Sequence, residues 1–125
     1  MRFQVHKIAA EYHFRIASEL DMKISVGKNI DEKDAARVVA AQNYFYSAVN
    51  IIESVLAKNF ERHSFNQENR LRLMIEHRDI FSDEILEIYE VVDRNLRNKV
   101  AYRGENGPKY KGIKLLAELL VKRFP

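Results

Sequence analysis

Ala40-Ala41-Gln42-Asn43-Tyr44-Phe45-Tyr46-Ser47-Ala48-Val49-Asn50-Ile51-Ile52-Glu53-Ser54-Val55 is the stretch that decides how this chain folds. Val38, Phe45, Ile52 and Asn59 form one seven-residue row, Ala41, Ala48 and Val55 form the next, and Tyr44 and Ile51 widen the stripe. Such spacing belongs to a helix, not to a strand. A helix apolar over so much of its circumference has to be covered on several faces, by a central place in a bundle, a partner subunit, or both. The 15 residues from Val38 to Ile52 are also the longest run without a formal charge. A membrane-spanning helix needs about 20 predominantly apolar residues, so no span is expected.

Upstream, Val5, Ile8, Tyr12, Ile16, Leu20 and Ile24 recur every three or four residues, which predicts one long amphipathic helix over residues 2–25 with these side chains as its apolar face. Gly27 breaks it, and Asp31 is the expected N-cap of the central helix, with Glu32 and Asp34 at its positive end. Downstream, Ser64 and Gln67 have capping-box spacing ahead of a short helix carrying Leu71, Met74 and Ile75. Ser82, Asp83 and Glu84 start a fourth helix, whose stripe of Ile85, Tyr89, Val92, Leu96 and Val100 runs toward Tyr102 and ends at Gly104. After the turn Glu105-Asn106-Gly107-Pro108, Ile113, Leu116, Ala117 and Leu120 mark a last helix from Lys109 to Phe124. The expected fold is all-α, an antiparallel bundle of four main helices plus one short inserted helix, forming a single domain over residues 1–125.

Composition agrees. With 46% hydrophobic and 31% charged residues, four Gly and two Pro among 125, the chain is too apolar for disorder and too poor in turn residues for an all-β fold. The absence of Cys excludes disulfides, thiolate nucleophiles and cysteine-ligated metals, and fits a reducing compartment. Met1-Arg2-Phe3-Gln4-Val5-His6-Lys7 shows no apolar leader, so a cytoplasmic location is expected. Of the four histidines, His6 and His13 are seven apart, whereas a helical metal pair sits three or four apart; neither a metal nor a cofactor is expected. Glycine-rich phosphate loops and a Gly-x-Ser-x-Gly elbow are absent too.

Charge is distributed unevenly. Arg94 to Arg123 holds nine basic and two acidic residues, a net of +7, which leaves −4 for the rest of the chain. Such a basic quarter fits a polyanion-binding face; equally, Lys and Arg can complement the negative ends of helix dipoles. The densest polar run is Arg94-Asn95-Leu96-Arg97-Asn98-Lys99-Val100-Ala101-Tyr102-Arg103. In a regular helix Asn98 lies one turn behind Tyr102, and Arg97 stands beside it. Guanidinium is a phosphate clamp with a permanent charge and a planar fork of donors. The competing reading is a capped helix end with Tyr102 packed on the bundle.

At these residues the sequence resembles the HEPN superfamily, helical bundles whose motif is Arg, a polar residue, three further residues and His. Arg97, Asn98 and the spacing match, and Tyr102 takes the place of the His. Ala40 to Glu53 also resembles the long HEPN helix, so the likeness covers most of the chain. It implies a homodimer whose motif helices meet, and a metal-independent endoribonuclease in which Arg stabilises the phosphoryl oxygens during attack by the ribose 2′-hydroxyl. Many members are toxins of toxin–antitoxin pairs with a nucleotidyltransferase antitoxin. The resemblance makes Arg97, Asn98 and Tyr102 the candidate catalytic set, with Arg94, Lys99, Arg103, Lys109 and Lys111 as RNA-binding residues. Tyrosine near pH 10 is protonated at neutral pH, so Tyr102 suits hydrogen-bond donation or base stacking better than proton abstraction. A base would come from a lowered Tyr102 pKa among Arg97, Lys99 and Arg103, or from His63. His63, Asn66, Glu68 and Arg70 are accessory candidates, lying in a polar segment that suits a buried network or a cleft rim. The alternative function is a non-catalytic module that binds a nucleotidyltransferase or other protein through the surplus apolar surface of the central helix.

Overall fold

In the computed structural model, which describes residues 2–97 and 108–125 and the side chains of 2–94 and 109–125, the chain forms six helices. They are α1 (Phe3–Val26), α2 (Ile30–Phe60), α3 (Gln67–Glu76), α4 (Arg78–Phe81), α5 (Asp83–Arg97) and α6 (Pro108–Arg123). The all-α bundle is as expected, and no strand occurs among the described residues. The insertion differs: two short helices, not one, separate α2 from α5, with His77 between them stacked on Phe60 at 3.5 Å between ring centres.

Helix starts depend on side-chain acceptors, and two of them differ from the sequence reading. Asn29, not Asp31, caps α2, its side chain accepting from the Glu32 amide at 2.8 Å. Asn66, not Ser64, caps α3 by accepting from the Asn69 amide, also at 2.8 Å. Ser64 is engaged elsewhere, with Glu53. At α5 the expectation holds, for the Ser82 hydroxyl accepts from the Ile85 amide at 3.3 Å. α2 closes on Glu61 in the left-handed region (φ 53°), which returns its amide to Ala57 and Leu56.

α2 is the central element. Ala40, Ala41, Tyr44, Phe45, Ala48, Ile51, Ile52, Val55 and Leu56 are all buried in the core, so its broad apolar surface is met chiefly within the chain. Tyr46 is exposed. α6 runs parallel to α2, with Tyr110 beside Tyr44, while α5 returns antiparallel to α6, Val92 lying against Gly112. The start of α6, the end of α5 and the last turns of α1 therefore share one end of the bundle.

Of the apolar face expected on α1, Leu20 and Ile24 pack against the core, whereas its first four residues do not. Val5, Ile8, Tyr12 and Ile16 are exposed, and the residues buried against α2 are Ala10 and Ala17. Small side chains let the two backbones approach closely enough for the Ser47 hydroxyl to donate to the Ala10 carbonyl at 2.8 Å. On one edge of this contact Nδ1 of His6 meets Oδ1 of Asn50, and Nδ1 of His13 meets Oδ1 of Asn43, both at 2.9 Å. These pairs fix the hairpin as antiparallel. Replacing the fully buried Ala17 by Leu should overpack this contact and cost about 1–3 kcal/mol in urea unfolding, whereas Ile16→Ala on the exposed face should cost less than about 0.5 kcal/mol.

Candidate functional site

Two polar clusters tie the helices together. The first is centred on Glu53, buried on α2. Its Oε1 accepts from Arg70 Nε of α3 at 3.0 Å and from the Ser64 hydroxyl, and its Oε2 accepts from the Ser64 amide at 3.2 Å. Arg70 reaches on to α5, where its Nη1 donates to the Tyr89 hydroxyl at 3.3 Å. Burial pushes the Tyr89 phenol above its usual range; Arg70 pulls it down, and Asp93 and Glu53 add to the rise. Tyr89 is thus a neutral phenol. Asp93, buried one turn further along α5, lies one turn before Arg97.

The second cluster joins α1 to α6. Asp21 accepts from the Tyr110 hydroxyl at 2.5 Å and from Lys114 Nζ at 2.7 Å. Burial raises the Asp21 carboxyl, but the bonds from Lys114 and Tyr110 and the nearby Arg37 outweigh it and leave the pKa below the ordinary value. Burial, followed by the bond to Asp21, drives the Tyr110 phenol far upward, and the Asp21 bond raises Lys114. Neither phenol is poised to ionise near neutral pH.

The sequence-predicted site residues fall into three groups. Asn98, Lys99, Tyr102 and Arg103 lie outside the described residues, while Arg97 closes α5 with its backbone only described. Arg94 is exposed beside Glu90 at 3.5 Å, and it shares a shallow groove of about 440 Å³ between α3 and α5 with Glu68, Asp93 and Glu76. Lys109 and Lys111 are exposed on the first turns of α6.

The accessory residues do not converge. Arg70 turns inward to Glu53, Asn66 is occupied as a cap and Glu68 faces the groove. His63 sits 5.8 Å from His6, ring centre to ring centre, at the start of α1. Asp21, at the bundle end where α5 finishes, is 15 residues along α1 from His6, roughly 22 Å of helix rise. His63 therefore stands at the opposite end of its own chain from the last turn of α5. Among the described residues no three His, Asp or Glu side chains gather as a metal site, and no helix is long and apolar enough to cross a membrane.

Sequence reasoning missed Asp21, Tyr110 and Lys114 as a unit. A signal exists for Asp21, which falls one turn after Ala17 on the packed side of α1, where an acid requires partners. Compared with family models, with curated proteins and with solved structures, the chain finds no match.

The two clusters differ in what they contribute. Arg70→Met strands a buried carboxylate and should cost about 3–5 kcal/mol in urea unfolding, whereas Tyr89→Phe, which removes one hydroxyl, should cost about 1 kcal/mol. The Asp21 pair is partly wet, so Asp21→Asn should cost only about 1 kcal/mol at pH 7. Because the folded pKa of Asp21 is depressed, its contribution is present above the unfolded value of about 3.9 and is lost as pH falls through the folded value. Stability curves of wild type and Asp21→Asn should accordingly converge below about pH 4.

Proposed function

We propose that the chain is a HEPN-type, RNA-acting protein whose polyanion-binding end is formed by the last turn of α5 and the first turns of α6. The observation that carries this reading is the charge at the start of α6. Dipole complementarity accounts for Lys122 and Arg123 in the last turn of α6. It does not account for Lys109 and Lys111. They stand exposed on a helix start with no acid in its first turn, where the helix end is already positive. That placement disfavours the free protein slightly and favours it once an anion arrives.

In this reading Arg97 stabilises charge on a phosphoryl oxygen and Asn98 orients the phosphate or a sugar hydroxyl. Tyr102 donates a hydrogen bond or stacks on a base, a contact worth about 1–3 kcal/mol. Arg94, Lys99, Arg103, Lys109 and Lys111 supply the field that holds RNA. Cleavage in this reading forms a bond from the ribose 2′-oxygen to the adjacent phosphorus as the 2′-hydroxyl gives up its proton, and breaks the bond to the 5′-oxygen of the next nucleotide, which leaves as a hydroxyl; the resemblance implies no metal. A homodimer, a nucleotidyltransferase antitoxin and a role as toxin belong to the same proposal and rest on the resemblance alone.

A second reading, a protein-interaction module that cuts nothing, is favoured by the exposed apolar face of α1. The surplus surface of the central helix does not favour it, because that surface is largely buried within the chain.

The test is binding and cleavage of labelled mixed-sequence RNA and of tRNA in excess chelator. Affinity should fall by about 0.7 log units per log unit of salt for each phosphate contact, and Lys109→Ala with Lys111→Ala should reduce that slope by about 1.4. Cleavage leaving a 2′,3′-cyclic phosphate, lost in Arg97→Ala, would make the protein a ribonuclease. Binding without cleavage would leave an RNA-binding protein. Absence of salt-sensitive binding would refute the RNA reading and favour the interaction module.

A further inference from the structure

Val5, Ile8, Tyr12 and Ile16 follow one another along α1 at intervals of three, four and four, and are 40%, 49%, 58% and 45% exposed. At 100° per residue they occupy an arc of roughly 80°, centred about 145° away from Ala10 and Ala17, which face α2. This is the most regular apolar stripe of the helix, and among the described residues it is left exposed. The surface continues onto α2, where the exposed Tyr46 lies 5.4 Å from the His13 ring and Val39 stands one heptad before it.

We propose that this face pairs with the same face of a second copy of the chain, the two α1 helices packing antiparallel across a twofold axis near Tyr12. In that arrangement residues whose numbers sum to 24 lie opposite one another. Ile8 meets the partner's Ile16 twice, Tyr12 meets the partner's Tyr12, and Val5 lies within a turn of the partner's Ile16. An antiparallel twofold also brings each flank of the stripe against the same flank of its mate. Glu11 and Arg15 occupy one such flank, Arg15 resting 5.7 Å above the Tyr12 ring centre. Arg15 of one copy then stands about 3 Å in helix rise from the partner's Glu11, and symmetry repeats the pair; the two Glu11 carboxylates come equally close in rise, so two Arg–Glu pairs are set against one Glu–Glu pair. A face that offers an acid and a base to itself in complementary register fits a second copy better than an unlike partner.

This contact is independent of the RNA-acting reading and differs from the dimer implied by the family resemblance, in which the motif helices meet. The patch is narrow, about six apolar side chains per copy, at the small end of specific interfaces.

Sedimentation equilibrium of the full chain without RNA, from about 1 to 200 µM, should show a reversible monomer–dimer equilibrium with a dissociation constant in the micromolar range. Tyr12→Lys should weaken the dimer about tenfold or more. Glu11→Arg and Arg15→Glu should each weaken it, since each sets like charges opposite one another. An equimolar mixture of these two variants should dimerise more strongly than either alone, because both flanking pairs of the mixed dimer are again Arg with Glu. Far-UV circular dichroism should show unchanged helix content in all three. A wild type that stays monomeric over this range would overturn the proposal. So would a dimer indifferent to Tyr12→Lys, a mixture no tighter than its components, or a dimer abolished by Arg97→Ala while Tyr12→Lys retains it.

Discussion

A carboxylate placed inside a helical bundle has to collect donors, and Glu53 draws them from two separate parts of the chain. Ser64 comes from the segment after α2, supplying both its amide and its hydroxyl, and Arg70 comes from α3. Through Arg70 the requirement extends to Tyr89 on α5. One buried acid on the central helix thus sets where the chain turns after α2, how α3 lies and which face of α5 points inward. The apolar core would tolerate several placements of two short helices; the polar cluster is satisfied by one. Arg70 serves that structural role, and its charge does not reach the end of α5.

At the opposite edge of α2 the packing principle changes. Ala10 and Ala17 on α1 face the central helix through small side chains, so close approach replaces the interlocking of large ones. Val5, Ile8, Tyr12 and Ile16 lie on the outside as a consequence, while Phe14, Leu20 and Ile24 pack against the core from the flanks of that contact. Hydrophobic periodicity in the sequence identifies that outer stripe correctly as a face, but it cannot say whether the face turns toward its own chain or away from it.

Much of the fold was legible for that same reason: the seven-residue rows through Phe45 and Ile52 can be satisfied only by a helix covered on several sides. Helix starts were less legible. Asp31 and Ser64 have the chemistry and spacing of caps, as do Asn29 and Asn66, and the choice lies in where the backbone becomes extended and which side chain is already engaged. Arg70 was recognisable as part of a polar network, yet its partner Glu53 read only as the end of an apolar stretch. The Asp21, Tyr110 and Lys114 cluster joins residues about ninety positions apart, beyond the reach of any local pattern. Of the candidate site, the basic character of α6 was visible in the sequence, while its unfavourable placement on a positive helix end needed the helix boundary. Asn98, Lys99, Tyr102 and Arg103 lie outside the described residues, so the motif keeps the standing that the resemblance gives it.

The two histidine–asparagine pairs between α1 and α2 act as a register key. Nδ2 of Asn43 donates to the Val39 carbonyl and Nδ2 of Asn50 to the Tyr46 carbonyl, which fixes each amide with its oxygen toward the histidine. Each imidazole must then carry its proton on Nδ1. Because both pairs have a spacing of seven, sliding α1 by one residue breaks both, and sliding it by a full heptad keeps only one of them. The alanine contact alone is smooth enough to slip; the ring-to-amide seam gives the hairpin notches, so the outward stripe of α1 is presented at one height and one rotation.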